Sequence, residues 1–199
     1  MKKVVSMIVF GVILVFAGCT LLPWVKDANN IYDWFKKPTE DVVYLYRTIT
    51  YIDNINFSDT ENYQLKFTDV DENDDNITVL VNDDGTNRYL VADRDENIIF
   101  YGRDQYFTDY DEDEVYLEAP VNLDNSWPCK KETRSVVSID TTVTVDAGTF
   151  SDVVKVKIIE EDADYIGYYY WSISRGLIYY EITYEDGSYV KTELTDIDE

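Results

Sequence analysis

Cysteine and carboxylate side chains are the groups with which this 199-residue chain could do chemistry, because the sequence contains no histidine. Without an imidazole there is no Ser-His or Cys-His nucleophilic pair and no histidine-containing zinc or haem site. Cys129 is followed by Lys130 and Lys131, which provide positive charge but no base that could activate a thiol. We therefore interpret Cys129 as a partly buried, non-catalytic thiol next to Trp127.

Acidic clusters at residues 69–76 and 109–114 could bind a divalent cation. Neither cluster follows the EF-hand pattern. Counted from Asp69, the sixth residue is Asp74 where the loop requires glycine, and the twelfth is Leu80 where it requires a bidentate glutamate. Because Asp and Asn favour turns, we interpret both clusters as solvated hairpin tips, with a weak cation site as the alternative. We predict no metal ligand and no cofactor.

The acidic residues argue against two functions, enzymatic catalysis and the binding of nucleic acid. Two carboxylates can hydrolyse a glycosidic bond without histidine, but nothing in the sequence marks any two of the 40 Asp and Glu residues as a pair. We therefore predict no catalytic residue and no enzymatic activity. With 17 Lys and Arg residues, the formal net charge is −23, which would repel phosphate groups, so we predict no nucleic-acid partner.

The N-terminal residues have the order of a bacterial signal peptide. Lys2 and Lys3 precede an uncharged apolar run over residues 4–16, and the small residues Ala17 and Gly18 follow it. A basic start, an apolar core and a small-residue end are common to export signals. This order predicts that the chain beyond the signal faces away from the cytoplasm.

The sequence Phe-Ala-Gly-Cys at residues 16–19 resembles the lipobox of bacterial lipoproteins, although Phe16 stands where an aliphatic residue is usual. In that family the cysteine receives a diacylglycerol on its sulfur and becomes the N-terminus after cleavage. The resemblance implies a signal peptide over residues 1–18 and a lipid anchor on Cys19. An uncleaved transmembrane helix over residues 4–25 is the alternative, because that stretch carries no charge and is long enough to span a bilayer.

Residues 19–40 are expected to contain the lipidated Cys19, a tether and one short helix. Asn29 or Asn30 could cap this helix at its N-terminus, and Pro38 would end it. One face of the helix would pack on the domain that follows. That face carries Ile31, Trp34 and Phe35.

Beyond residue 41, apolar residues alternate between clusters of Asp, Asn and Gly, which predicts β-strands, and no helical period persists. The predicted strands are 42–52, 63–67, 77–81, 88–92, 98–101, 153–159, 177–185 and 189–194. Their connections are too short for parallel crossovers, so we expect antiparallel pairing. The predicted fold is mainly β, a curved antiparallel meander or incomplete barrel with a short N-terminal helix, and residues 41–199 form a single β-rich domain.

Several short motifs follow one another between residues 119 and 194. They are Ala-Pro-Val (119–121), Ser-Trp (126–127), Thr-Val-Thr-Val-Asp-Ala-Gly-Thr-Phe (142–150), the apolar strand 153–158, Tyr-Tyr-Tyr (168–170) and Gly-Leu-Ile (176–178). This order resembles an uncharacterised family of bacterial envelope lipoproteins, in which a strand ending Val-Pro-Ala-Gly-Thr-Phe precedes an apolar strand, an aromatic run and Gly-Leu-Val or Gly-Leu-Ile. Asp146 replaces the proline of that motif. The resemblance implies a β-rich envelope lipoprotein and brings no catalytic residue with it.

The turn of the 142–150 motif has a physical explanation of its own. Gly148 is predicted to adopt a positive φ, which glycine does without steric cost. Such a turn would place Val145 and Phe150 on adjacent strands, where both could be buried.

These features predict a lipid-anchored domain of the cell envelope, facing away from the cytoplasm, that acts by binding. Its partner would be another envelope protein or an apolar ligand on its concave face, and Cys19 would hold it to the membrane. The alternative function is a carboxylate-based hydrolase of envelope polysaccharide. A groove lined by Val, Ile and Tyr would favour binding, whereas a buried acid pair in a cleft would favour the hydrolase.

Overall fold

The computed structural model describes residues 28–35, 41–72, 76–83, 86–102, 114–160 and 164–198. These residues are mainly β and form one antiparallel sheet of twelve strands. The strands are β1 (Val43–Ile52), β2 (Phe57–Glu72), β3 (Asn76–Asp83), β4 (Thr86–Asp93), β5 (Ile98–Gly102), β6 (Glu114–Glu118), β7 (Ser126–Cys129), β8 (Glu132–Val145), β9 (Gly148–Glu160), β10 (Tyr165–Ser172), β11 (Gly176–Tyr184) and β12 (Tyr189–Asp198). The mainly-β, antiparallel prediction is confirmed.

The strand order shows two six-stranded meanders joined side by side. The order in the sheet is β6-β5-β4-β3-β2-β1-β12-β11-β10-β9-β8-β7. Every neighbouring pair is therefore consecutive in the chain except β1 and β12, which pair antiparallel with Tyr46 opposite Leu194. This one long-range pairing brings the start and the end of the described β-region together at the centre of the sheet.

Contacts between its two edges show that the sheet is strongly curved. On β7, Nε1 of Trp127 donates a hydrogen bond to the carbonyl of Val115 on β6 at 3.2 Å. On β8, Nη1 of Arg134 donates to the same carbonyl at 2.8 Å. No backbone ladder joins β6 to β7 within the described residues, so the sheet is not closed into a barrel.

Alternation along the strands gives the sheet two different faces. On β9, Val154, Val156 and Ile158 are buried, whereas Lys155 and Lys157 between them are half-exposed. We call the side of the three apolar residues the inner face and the side of the two lysines the outer face. Successive side chains of a strand point to opposite sides, which is why the apolar residues collect on one of them.

The short N-terminal helix that the sequence predicts is not shown. Residues 28–35 form a 3-10 turn, Ile31–Trp34, capped by the side chain of Asn30, which accepts a hydrogen bond from the Tyr32 amide. In an α-helix the Trp34 carbonyl would need the amide of residue 38, which is proline and has none. Nε1 of Trp171 on β10 donates to that carbonyl instead, at 3.1 Å.

The 3-10 turn packs on the inner face of the sheet, as the apolar pattern predicts. Ile31, Trp34 and Phe35 are all buried and belong to the main hydrophobic core. Just before the turn, the carbonyl of Ala28 accepts a hydrogen bond from the amide of Val121 at 2.7 Å. The turn thereby occupies part of the concavity that the curved sheet creates.

The glycine turn of the 142–150 motif is confirmed in conformation but only in part in burial. Gly148 has φ +141°, and Val145 opposite it is buried. Phe150 is only half-buried, because β10 ends at Ser172, whose partner on β9 is Val153. Before Val153, β9 therefore has β8 as its only neighbour in the described sheet.

Candidate functional site

A cavity of about 230 Å³ lies on the inner face, between residues of β1, β2, β4, β6, β10 and β11. Its aromatic lining consists of Tyr44, Tyr46, Tyr63, Phe67, Tyr116 and Trp171. Its other lining residues are Leu65, Leu90, Leu177, Gly176 and Arg175. Strands far apart in the chain therefore share one apolar space.

Alternation on β1 and β2 supplies one wall of the cavity. Tyr44 lies opposite Leu65, and Tyr46 opposite Tyr63, so these four side chains project to the same side. The rings of Tyr46 and Tyr63 stack with centroids 5.1 Å apart. The Tyr44 ring meets Phe67 edge to face at 4.7 Å. Aromatic pairs in these arrangements stabilise each other, and so they stabilise this wall.

Trp171 on β10 forms the opposite wall. Its ring lies 5.3 Å from the ring of Tyr116 on β6, centroid to centroid, and its Nε1 is bonded to the Trp34 carbonyl. Gly176, with φ +80°, lies over the same ring: a Cβ added there would be 3.5 Å from the ring edge. Because 3.5 Å is an ordinary van der Waals distance, the backbone conformation at φ +80° is what favours glycine here.

Few polar groups face this apolar lining. The Tyr46 hydroxyl donates to the carbonyl of Leu177 at 2.8 Å, which joins β1 to β11 across the cavity wall. Arg175, in the turn between β10 and β11, is the charged residue among the lining residues, and none of them carries a carboxylate. An apolar pocket with a few placed polar groups is the usual form of a small-molecule site.

A buried polar network holds the sheet edges beside the cavity. Arg134 is 2% exposed, and its Nη2 lies 2.7 Å from Oε2 of Glu132. Its guanidinium also lies 4.9 Å from the ring centroid of Tyr169. The Tyr165 hydroxyl donates to Oε1 of Glu132 at 3.2 Å, and burial together with the nearby carboxylates raises the pKa of Tyr165. The network satisfies the charge of Arg134, which is what a buried guanidinium requires.

The outer face carries a different set of groups. Tyr170 and Tyr179 donate their hydroxyls to the two oxygens of Glu181, at 3.2 and 3.0 Å. Burial and then the charge of Glu181 raise the pKa of both tyrosines. Nζ of Lys155 lies 3.9 Å from the ring centroid of Tyr168. These contacts form a polar, half-exposed surface rather than an apolar pocket.

The predicted lipid-attachment residue, Cys19, lies outside the described residues, as do the alternative membrane helix over 4–25 and most of the acidic cluster 109–114. Where the structure does describe the chain, it contains no helix with the length and apolarity to cross a bilayer. Cys129 is 4% exposed on β7, two residues from buried Trp127, so it is more deeply buried than predicted.

The first acidic cluster lies in the hairpin of β2 and β3, where Glu72 pairs with Ile77. Asp71 and Glu72 are exposed, and residues 73–75 lie outside the described part. Among the residues with a described position, no three acidic or cysteine side chains are grouped so that they could hold a metal ion.

No protein-family model and no curated protein matches the chain. A Bacteroides fragilis protein with a YmcC-like fold, predicted to be exported, superposes with a TM-score of 0.50 at 15% identity, over 83% of this chain and 99% of that one. A predicted lipoprotein from Parabacteroides distasonis gives a TM-score of 0.44 at 12% identity, over 85% and 99%. A predicted outer-membrane lipoprotein-sorting domain from Vibrio parahaemolyticus gives 0.28 at 11%, over 80% and 85%. The TM-score of 0.50 for the Bacteroides protein, at 15% identity, shows a shared fold and no more.

Proposed function

We propose that this protein is a lipid-anchored, extracytoplasmic module that binds an acyl chain in the cavity on the inner face of its sheet. The observation that carries the proposal is the lining of that cavity, which is aromatic and aliphatic and contains no carboxylate among the described residues. Removing apolar ligand surface from water into such a space is favourable without any specific polar contact. Of the two predicted partners, an envelope protein and an apolar ligand, this lining supports the apolar ligand.

The size of the cavity favours a narrow ligand. Its volume of about 230 Å³ exceeds the roughly 150 Å³ that holds a benzene ring in an apolar protein core. It is below the roughly 300–1,000 Å³ of pockets that enclose drug-sized molecules. A segment of one acyl chain fits these limits, whereas a folded protein partner does not.

The cavity supports the alternative function, a carboxylate-based hydrolase, less well than it supports binding. Glycoside hydrolysis needs two carboxyl groups facing the substrate. The inner cavity offers none. On the outer face, the oxygens of Glu181 are engaged by the hydroxyls of Tyr170 and Tyr179. We therefore propose a non-enzymatic protein, and nothing in the described residues favours the hydrolase.

The proposed location follows from the N-terminal sequence. Cys19 after Ala17-Gly18 is the proposed acylation site, with residues 1–18 removed as the signal and 41–199 forming the domain. The Bacteroides protein of the same fold, itself predicted to be exported, supports an envelope location. Mass spectrometry of the membrane-extracted protein should show the loss of residues 1–18 and an added lipid mass. An intact Met1 with an unmodified Cys19 would contradict the anchor and favour the transmembrane alternative.

Photo-crosslinking in living cells tests the binding proposal. A photoreactive phenylalanine analogue replaces Leu65, which lines the cavity, or Gln64, the exposed neighbour on the opposite face of the same strand. We expect a lipid-mass adduct at position 65 and none at position 64. A protein adduct at position 65 would instead favour the envelope-protein partner. Equal labelling at both positions would refute a specific cavity site.

A further inference from the structure

We propose that the outer face of the sheet binds a neutral saccharide, in a cleft beneath the β8–β9 hairpin. The cleft has a volume of about 690 Å³, within the roughly 300–1,000 Å³ of pockets that enclose drug-sized molecules. It is lined by residues 141–145 of β8 and by outer-face side chains of β9 to β12. Within the described part of the chain, it shares no lining residue with the inner cavity. This inference is therefore independent of the proposed acyl-chain function.

Strand pairing places the floor of the cleft in one row across four strands. Lys155 on β9 lies opposite Tyr170 on β10. Tyr170 lies opposite Tyr179 on β11, which in turn lies opposite Glu193 on β12. Residues paired across strands project to the same side, so all four face outward. Glu181 completes the floor, and its two oxygens accept from the hydroxyls of the two tyrosines.

The tip of the β8–β9 hairpin forms the roof of the cleft. Register shifts interrupt its ladder between residues 136 and 143, and such irregularities bend a strand. Beyond the bend, Nη2 of Arg47 on β1 donates to Oδ2 of Asp146 at 2.8 Å. The amide of Ala147 donates to the carbonyl of Leu194 on β12 at 3.3 Å. The tip therefore crosses β10 and β11 and is held at its far end, which leaves a covered space over the floor.

The charged groups of the cleft are matched by contacts within the fold. Nε of Arg47 donates to Oε1 of Glu193 at 3.2 Å, and Glu181 is bonded to the two tyrosine hydroxyls. Nζ of Lys155 lies 3.9 Å from the ring centroid of Tyr168. A ligand with a net charge of either sign would meet a like charge, from the lysine or from the glutamates. A neutral ligand avoids both repulsions.

The lining still has hydrogen-bonding capacity for a hydroxyl-rich ligand. Within the part of the chain that the structure describes, Nζ of Lys155 contacts tyrosine rings and no hydrogen-bond acceptor. Each carboxylate oxygen of Glu181 accepts one tyrosine hydroxyl and can accept a further donor. A sugar hydroxyl both donates and accepts, so it suits such a mixture of groups. The rings of Tyr170 and Tyr179, with centroids 5.1 Å apart, add apolar surface for the C–H groups of a sugar ring.

The experiment uses the full-length protein in phosphatidylcholine nanodiscs and measures binding by saturation-transfer-difference NMR. The probes are neutral trisaccharides of hexoses, deoxyhexoses and N-acetylhexosamines, with trigalacturonate as the anionic and the glucosamine trimer as the cationic comparison. The variants are Lys155→Gln and Glu181→Gln. Their matched controls outside the cleft are Lys157→Gln, on the outer face of the same strand, and Glu185→Gln, in the exposed turn after β11. Urea midpoints establish that each variant is folded.

We expect at least one neutral trisaccharide to bind, with a dissociation constant about tenfold higher in Lys155→Gln and in Glu181→Gln. Lys157→Gln and Glu185→Gln should match the wild-type protein, and both charged probes should bind more weakly than the neutral one. Binding that neither cleft variant changes would overturn this site. Tighter binding of a charged probe, or no binding of any neutral one, would overturn the assignment of a neutral saccharide. Neither result bears on photo-crosslinking at Leu65, which tests the inner cavity.

Discussion

The inner and outer faces of the sheet use the same residue type for opposite purposes, and the aromatic run of β10 shows this. Tyr169 points to the inner face and contacts the rings of Tyr116 and Tyr180. Its neighbour Tyr170 points to the outer face, where its hydroxyl is bonded to Glu181. On the inner face the rings are packed together and water is excluded, whereas on the outer face the hydroxyls are paired with charge. The role of each tyrosine is therefore decided by its neighbours in the fold and not by its residue type.

The comparison also explains where a ligand can bind. Three polar side chains of the inner face donate to backbone carbonyls: Trp171 to Trp34, Tyr46 to Leu177, and Trp127 to Val115. These bonds satisfy the donors at the wall and leave apolar surface toward the cavity. The outer face keeps its charged groups near water, so an apolar ligand would gain little there.

The largest expected effect comes from removing the wall of the cavity. Trp171→Ala deletes a ring that is 2% exposed and also the hydrogen bond to the Trp34 carbonyl. Loss of such a side chain should lower the free energy of unfolding by about 3–5 kcal/mol, measured by urea denaturation. Thr183→Ala, at an exposed outer-face position, should stay within about 0.5 kcal/mol. Similar losses in the two variants would mean that the faces are assigned wrongly.

The second effect tests the buried charge on the inner face. Glu132→Ala leaves Arg134 buried without its carboxylate partner, and should destabilise the chain by about 2–4 kcal/mol. The double variant Glu132→Ala/Arg134→Met removes both charges and should recover part of that loss. Urea denaturation of the two variants measures the difference. A double variant less stable than Glu132→Ala would show that Arg134 is held by its other contacts.

A third effect concerns the turn between β8 and β9. Gly148 has φ +141°, and a Cβ built there meets no atom within 4 Å. Gly148→Val should therefore destabilise the chain by about 1–3 kcal/mol through backbone strain alone. Lys157→Ala, on the outer face of β9, is the control and should change stability by less than about 0.5 kcal/mol. An unchanged urea midpoint for Gly148→Val would show that the motif does not require glycine at this position.

The smallest effect at neutral pH comes from the tyrosines of the outer face. The pKa values of Tyr170 and Tyr179 are raised above 10.0 by burial and by Glu181. A group with a raised folded-state pKa contributes its stability below the unfolded value, so this contribution is lost as pH rises above about 10. Tyr170→Phe and Tyr179→Phe should each make the fall in stability at alkaline pH less steep, as followed by urea midpoints against pH.

The control for this titration is Thr183→Ala, which changes an exposed residue without a titratable group on the same strand as Tyr179. Its alkaline slope should equal that of the wild-type chain. If all three variants gave the wild-type slope, ionisation of the outer-face tyrosines would not contribute to alkaline unfolding.

The strands predicted from apolar alternation correspond to β1–β5, β9, β11 and β12, whereas β6, β7, β8 and β10 are not among them. The predicted strand 42–52 agrees closely with β1, and 189–194 lies within β12. The four residues of β7 include a proline, and β2 continues into a charged stretch, so neither β7 nor the full length of β2 is recognisable. Both are held as strands by their partners in the sheet.

The site was less predictable than the fold. A concave apolar face could be expected from the alternating tyrosines of β1, but nothing marks Arg175 as a residue that borders it. Trp171 appears in the sequence only as the end of an aromatic run, and its role depends on Tyr116 and Gly176. No local pattern links these residues, because they meet only after the sheet has curved.

The sequence by itself determines the local properties of this protein: strands from two-residue alternation, antiparallel pairing from short connections, and a glycine turn at Gly148. These depend on residues within a few positions of one another. The tertiary structure alone decides that β1 pairs with β12, that the sheet edges meet at Val115, and that the cavity exists. The hydroxyl of Tyr46 and the carbonyl of Leu177, 131 residues apart, show the reason: such contacts form only when the packing of the whole sheet brings distant strands together.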